Sequence, residues 1–155
     1  MRNQAAARPG ATDTGLGTWR ARLAICDGCD DCGPACVDGV PMSRAEYLRL
    51  KRYLASLPSA DRARVLSQNK RLPWPGAPSI TYVACPFRDV ELGRCAVYPA
   101  RPLVCRLFGH VEWLPCPSGK VSSPAASGVR LFQRYSELEL KTFPEWEEID
   151  GAPGS

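Results

Sequence analysis

The sequence predicts one small α+β domain that is rich in loops and turns. Its 155 residues fall within the usual size range of a single domain, and a hydrophobic content of 45% suffices for one modest core. Proline (15 residues) and glycine (13 residues) are both abundant, whereas aromatic residues make up only 8%. Long regular elements are therefore not expected, and the eight cysteines are the candidates for holding such a loop-rich chain together.

Composition divides the chain into three segments. Residues 1–18 are expected to form a flexible leader, residues 19–143 a cysteine-bearing domain, and residues 144–155 an acidic tail. The N-terminus lacks the ~7 to 15 apolar residues of a signal peptide, and no run approaches the ~18 to 20 apolar residues of a membrane span. We therefore expect a cytoplasmic protein without a membrane partner, and in that reducing compartment cysteines are rarely paired as disulfides.

A basic helical hairpin is predicted over residues 43–70. Ser43 and Glu46 have the spacing of a capping box, which satisfies free amides at a helix start, and Pro58 ends the helix. The apolar positions that give this helix its period are Tyr47, Leu50, Leu54 and Leu57. A second helix follows over about residues 60–70. Residues 44–71 contain eight Lys or Arg but only two acidic residues. The excess positive charge is expected either to face the solvent or to bind nucleic acid phosphates.

A small β-hairpin is predicted in the second half of the chain. Residues 72–78 contain three prolines and are expected to form a linker, because proline cannot continue a helix. The β-rich runs 80–84 and 95–98 then flank a turn near Gly93.

Two more helices are predicted beyond this hairpin. Pro102 is placed to begin a short helix that ends near Leu107, and Gly109 to close it in a left-handed conformation. The last helix is expected over residues 129–141, where apolar side chains share one face.

The pattern Cys26-x-x-Cys29-x-x-Cys32-x-x-x-Cys36 places four thiols within eleven residues. Disulfides require particular separations and directions of the Cβ atoms, which such close spacing does not provide for two pairs. Turns with two intervening residues instead point sulfurs at a common centre, where a metal stabilises the thiolates. The spacing is that of the bacterial ferredoxin run, with Val37 in place of its proline, and it favours an iron-sulfur cluster, most readily 4Fe-4S.

Four further cysteines lie about ten residues apart in the second half, on different predicted elements. The predicted metal and cofactor ligands are therefore Cys26, Cys29, Cys32, Cys36, Cys85, Cys95, Cys105 and Cys116. Eight thiols suit two four-cysteine sites, or one cluster and one zinc ion, and the spacing alone does not divide them. Because folding must gather these residues, we expect the metal to organise the domain.

The cysteine-bearing segments resemble those of the YkgJ-type cysteine-cluster family, which is described as chelating zinc or iron. The matching segments are Cys85-Pro86-Phe87, Gly93-Arg94-Cys95-Ala96-Val97-Tyr98, Arg101-Pro102-Leu103-Val104-Cys105-Arg106 and Cys29-Asp30-Asp31-Cys32-Gly33. The family signature, C-x-x-C-x-x-C-C, ends in two adjacent cysteines, and this pair is missing here. Only Cys36 follows Cys32, one residue further along than the signature places the first cysteine of the pair, while Cys26 lies upstream. The resemblance covers roughly residues 22–117 and implies metal chelation rather than any particular activity.

Two functions follow from these observations. The preferred one is an iron-sulfur protein with a redox or accessory role and a redox partner. The alternative is a structural zinc-binding module that contacts a protein or nucleic acid partner. Motifs for phosphate binding, nucleophilic hydrolysis and H-E-x-x-H zinc chemistry are missing, so the sequence leaves open whether the protein is an enzyme. His110 is more readily a structural residue than a ligand, and Arg94, Arg101 and Arg106 either balance an anionic cluster or form salt bridges.

Overall fold

The computed structural model describes residues 26, 29, 31–121 and 126–152, which contain five helices and three two-stranded antiparallel sheets. The helices are α1 (Arg44–Ser56), α2 (Ser59–Ser67), α3 (Leu103–Arg106), α4 (Ala126–Ser136) and α5 (Phe143–Gly151). The strands are β1 (Met42–Ser43), β2 (Arg71–Trp74), β3 (Ala77–Val83), β4 (Arg88–Asp89), β5 (Arg94–Cys95) and β6 (Leu140–Lys141). The α+β class is confirmed, while the predicted leader over residues 1–18 lies outside the described residues.

Helix α1 begins at the predicted capping box. The backbone N–H and the hydroxyl of Ser43 both donate to the Glu46 carboxylate at 2.9 Å. Tyr47, Leu50 and Leu54 are buried along one face, and the helix ends before Pro58, as its apolar period predicts. No described helix has the length and apolar character needed to cross a bilayer.

Residues 71–83 form a hairpin, which corrects the prediction of a linker over residues 72–78. Strand β2 pairs with β3, with Arg71 opposite Val83, and Gly76 takes a φ of 80° between them. A two-stranded sheet has two edges, so prolines can occupy positions where no ladder N–H is required. Proline therefore excluded a helix here but did not exclude a strand.

The predicted pairing of residues 80–84 with residues 95–98 is also wrong, although the turn near Gly93 is present. Strand β5 pairs with β4 through Arg88 opposite Cys95, and Gly93 takes a φ of 66° in the turn. This connection is shorter than the predicted one, and short hairpin loops are the commonest connections between antiparallel strands.

The last predicted helix, over residues 129–141, ends five residues early, at Ser136 in α4. The chain then adds β6, whose Lys141 pairs with Met42 of β1, and turns into α5 at a second capping box formed by Thr142 and Glu145. This competing helix start at Thr142 explains why one long helix does not form.

The largest core cluster lies between α1, α5 and the residues around β4 and β5. Its buried members are Met42, Tyr47, Leu50, Leu54, Phe87, Val97 and Trp146. Cys85 and Cys95 are half-buried and pack against this cluster, which places two of the predicted ligands at the edge of the core. A second, smaller cluster contains Leu107 and Val111.

Candidate metal centre

A cavity of about 210 Å³ opens at the edge of the main core and is lined by five of the eight cysteines. These residues are Cys32, Cys36, Cys85, Cys95 and Cys105. Most of the remaining lining is apolar, including Phe87, Val97 and Phe143. A concave apolar site with convergent sulfur atoms is suited to a soft-ligand metal centre, because its walls exclude water from the thiolates.

Local structure explains why these cysteines border one cavity. Cys36 follows a 3₁₀ turn over Gly33–Ala35, and its carbonyl accepts a hydrogen bond from the Cys85 N–H at 3.1 Å. An isolated β-bridge between Val37 and Ala84 continues this contact. Cys95 ends the β4–β5 hairpin, and Cys105 lies in α3.

Cys36 and Cys85 are neighbours across this backbone hydrogen bond and influence each other's ionisation. The interaction with Cys36, followed by burial, raises the pKa of the Cys85 thiol, whereas the interaction with Cys85 lowers the pKa of Cys36. Burial, followed by the negative charges of Cys36 and Cys95, raises the pKa of Cys105 to about 12. The thiols of Cys85 and Cys105 are therefore neutral at neutral pH when no metal is bound.

The other three cysteines lie around the loop over residues 109–121. His110, which is fully buried, has its Nε2 atom 3.7 Å from the Cys26 sulfur. Lys120 donates to the Cys29 sulfur at 3.4 Å and forms an ion pair with Asp31 at 2.9 Å. The loop that carries Cys116 thus contacts the first cysteine cluster, which consists of Cys26, Cys29, Cys32 and Cys36, at two points.

Cys116 differs from the buried thiols in its acidity. A hydrogen bond between the Cys116 sulfur and the Ser118 hydroxyl oxygen, at 3.5 Å, is the largest of the effects that lower the pKa of Cys116 to about 7. Backbone N–H groups of the same loop act in the same direction. This thiol is therefore substantially ionised near neutral pH and is a ready nucleophile and metal ligand.

Arg101 is the buried cation of the site, with only 8% of its surface exposed. Its guanidinium lies 3.5 Å from the centroid of the Tyr98 ring, and its Nε donates to the Tyr98 carbonyl at 3.2 Å. Its charge lowers the pKa of Cys32, Cys36 and Cys105, although burial still raises the pKa of Cys32 and Cys105 overall. Of the two roles left open for this arginine, balancing of negative charge at the thiols is the one that fits its position.

The donor set fits a thiolate-bound metal. All eight cysteines are among the described residues, and none forms a disulfide. Within the described ranges, however, no three His, Cys, Asp or Glu side chains are already arranged to hold one metal ion. Five of the cysteines border a common cavity, and Cys side chains turn about a single bond, so binding there requires their sulfurs to turn inward and release their protons.

Three residues that support the site were not singled out from the sequence. The Tyr98 hydroxyl donates to the Cys26 carbonyl, and Arg88 donates to the Gly33 carbonyl, so both hold the backbone of the first cysteine cluster. Lys120 joins Cys29 and Asp31. Each contact spans at least 55 residues of sequence, and no local motif signals such a pairing.

The basic helical hairpin directs most of its cations to acceptors of the chain itself. Seven of its eight Lys and Arg side chains donate such hydrogen bonds, and they are Arg44, Arg49, Lys51, Arg62, Arg64, Lys70 and Arg71. Their acceptors include the carboxylates of Asp89 and Asp150 and several backbone carbonyls. These bonds favour an internal structural role over a phosphate-binding surface.

Comparison with known proteins identifies the family. A family model described as "CxxCxxCC: Putative zinc- or iron-chelating domain" matches residues 26–137, which is more than half of the chain and includes all eight cysteines. Searches of curated proteins and of solved structures found no match. The resemblance in the cysteine-bearing segments is confirmed, and the chain belongs to the CxxCxxCC family of zinc- or iron-chelating domains.

Proposed function

We propose that this protein carries an iron-sulfur cluster, most readily 4Fe-4S, and that it serves a redox or accessory role in the reducing cytoplasm. The observation that carries the proposal is the cavity of about 210 Å³ lined by five cysteines. A single zinc ion bound by four cysteines has Zn–S distances of about 2.3 Å and closes its site completely. A cluster of several iron and sulfide ions needs more space, which this cavity offers.

The surroundings of the cavity suit an anionic cluster. Its largely apolar wall limits water, and solvent exposure and net charge are among the properties that set the potential of a cluster. Arg101 supplies a buried positive charge beside Cys32, Cys36 and Cys105. When bound, a cluster would supply one-electron transfer, and the chain's own residues would bind it, shield it and balance its charge. A redox protein is the partner class that this role requires.

A structural zinc module is the second candidate, and the β2–β3 hairpin is the observation that favours it. Trp74, Ile80 and Val83 are 49%, 57% and 42% exposed. Exposed apolar side chains of this size suit contact with a protein partner. Nucleic acid is the less favoured partner, because most cations of the basic helices already donate within the chain.

Elemental analysis combined with an ultraviolet-visible spectrum tests the proposal. The protein is expressed with ample iron and purified without oxygen, because aerobic handling can replace a cluster with zinc. We expect brown protein with iron and sulfide in equal amounts, and bleaching of the visible absorption on reduction. Colourless protein that contains only zinc under the same conditions would refute the iron-sulfur proposal and leave the zinc module.

A further inference from the structure

We infer that the eight cysteines form two separate four-cysteine metal centres and that the first cysteine cluster is divided between them. The loop set is Cys26, Cys29, Cys32 and Cys116, and the cavity set is Cys36, Cys85, Cys95 and Cys105. The inference rests on the proposed metal binding but not on the identity of the metal. It assigns every ligand to one of two centres, which the spacing along the sequence leaves open.

The assignment of Cys36 to the cavity set rests on its backbone contacts. Its carbonyl accepts from the Cys85 N–H at 3.1 Å, and two residues later the Asp38 N–H donates to the Val83 carbonyl at 3.0 Å. The chain around Cys36 is thus paired with the end of β3, and the isolated β-bridge between Val37 and Ala84 extends this pairing. Cys36 is therefore tied to the second half of the chain.

A tight turn separates Cys36 from Cys32. The 3₁₀ turn over Gly33–Ala35 packs so closely on the β4–β5 hairpin that a Cβ atom at Gly33 would lie 2.9 Å from the Gly93 carbonyl oxygen. Arg88 also donates to the Gly33 carbonyl. The turn fixes the direction of the backbone between the two cysteines and allows them to serve different centres.

The loop over residues 109–121 brings Cys116 to the first three cysteines. Its two ends contact Cys26 through His110, at 3.7 Å, and Cys29 through Lys120, at 3.4 Å. Cys116 lies between these points and packs so closely on Gly109 that a Cβ atom there would lie 2.8 Å from the Cys116 Cβ. The loop therefore positions a fourth thiol beside three that are already close in sequence.

Cys32 also lines the cavity, which places the two proposed centres next to each other.

Pairs of serine substitutions test this division through the metal content per chain. The within-set pair Cys26→Ser and Cys116→Ser should remove about half of the metal, no more than either substitution alone. The cross-set pair Cys26→Ser and Cys105→Ser should remove nearly all of it. The inference is refuted if the cross-set pair loses no more metal than its single substitutions, or if the within-set pair loses all of it.

Alkylation of the wild-type protein provides a test that does not depend on folding of the variants. Metal is withdrawn stepwise with a chelator, exposed thiols are alkylated, and mass spectrometry identifies the labelled residues at each step. We expect the four cysteines of one set to be labelled together, before those of the other. Labelling of Cys36 together with Cys26, Cys29 and Cys32 would overturn the division.

These experiments separate the two proposals. Two zinc ions that respond in the four-plus-four pattern would support the division while refuting the iron-sulfur proposal. If each single serine substitution instead removed all of the iron and sulfide, the iron-sulfur proposal would be supported and the division into two centres would be refuted. Wild-type protein that binds no metal would overturn both.

Discussion

Gly109 shows how a single residue controls the position of a proposed ligand. Its φ of 81° disfavours other residues, and a Cβ atom there would lie 2.6 Å from the Cβ of Val121 and 2.8 Å from that of Cys116. Both neighbouring atoms are attached directly to the backbone, so relief of the clash must displace the loop. We therefore expect Gly109→Ala to lower the metal content by about half, measured by elemental analysis.

Gly76, in the β2–β3 hairpin and away from the cavity, provides the matched control for this substitution. Its φ of 80° imposes a similar conformational cost on alanine, about 1–2 kcal/mol, but no atom lies within 4 Å of its added Cβ. Gly76→Ala should therefore lose some stability and keep its metal. Equal metal loss in the two variants would attribute the effect to backbone conformation rather than to displacement of Cys116.

Asp89 is a buried carboxylate whose contribution to stability should depend on pH. The Arg64 guanidinium donates to it at 2.7 and 3.1 Å, and this pairing holds the pKa of Asp89 well below its ordinary value of 3.8. Gln68 and the Leu92 N–H also donate to it. We expect Asp89→Asn to lower the free energy of unfolding by about 1–3 kcal/mol at neutral pH, measured by urea denaturation of the metal-loaded protein.

The sign of this pH dependence follows from the depressed pKa. A group of this kind stabilises the fold fully above its unfolded pKa of about 3.9 and loses that contribution as the pH falls through its folded pKa. The difference between wild type and Asp89→Asn should therefore stay constant from about pH 8 to about pH 5 and shrink below about pH 4. If this difference in unfolding free energy disappeared already near pH 6, a group other than the Asp89 carboxylate would cause it.

At the scale of elements, α5 is held against α1 by a buried tryptophan. Trp146 is 4% exposed, and its Nε1 donates to the Met42 carbonyl at 2.9 Å. The Tyr47 ring stacks on Trp146, and Phe143 packs against the other rings through Tyr47. Replacement of such a residue by alanine leaves a cavity, so Trp146→Ala should lower the free energy of unfolding by about 3–5 kcal/mol, measured by urea denaturation.

Ile149 lies one turn further along the same helix and is 47% exposed. Ile149→Ala should change the free energy of unfolding by no more than about 0.5 kcal/mol. If both substitutions cost the same, the loss would reflect the helical content of α5 rather than the packing of Trp146.

Signals confined to neighbouring residues predicted part of the fold correctly. The capping box of α1 and the left-handed Gly109 after α3 both depend on contacts a few residues apart, and both are present. The second capping box, at Thr142 and Glu145, was visible in the sequence and was overlooked. Strand pairing could not be predicted, because two- to seven-residue strands carry too little periodicity to select a partner.

The candidate site could be predicted in its chemistry but not in its arrangement. The spacing of the first cysteine cluster signals thiolate ligands, whereas the backbone hydrogen bond from the Cys85 N–H to the Cys36 carbonyl joins residues 49 positions apart and has no local signal. Glu46 shows the same limit. Its role in the cap was predicted, but its carboxylate also accepts from Tyr135 at 2.7 Å and from the Leu103 N–H at 2.6 Å, which joins α1 to α4 and α3.

At the scale of the whole molecule, metal binding should supply a large share of the folding free energy. Among the described residues the main core cluster has only seven buried members, and residues 107–121, which carry Cys116, contain no helix and no strand beyond an isolated bridge. A structural metal site contributes about 10–16 kcal/mol, whereas a typical domain is stable by about 5–15 kcal/mol. Removal of the metal by a strong chelator should therefore unfold the chain, seen as loss of helical circular dichroism and of the near-ultraviolet signal of Trp146.

The protonation of the thiols makes this coupling between metal and fold depend on pH. With a pKa of about 12 for Cys105 and a raised pKa for Cys85, both thiols are neutral at pH 7 and must release protons to a metal. The apparent affinity should therefore rise about tenfold per pH unit for each proton released, measured by competition with a chelator between about pH 6 and pH 9. An affinity that does not change over this range would mean that these two thiols are not ligands, even if the chain binds metal elsewhere.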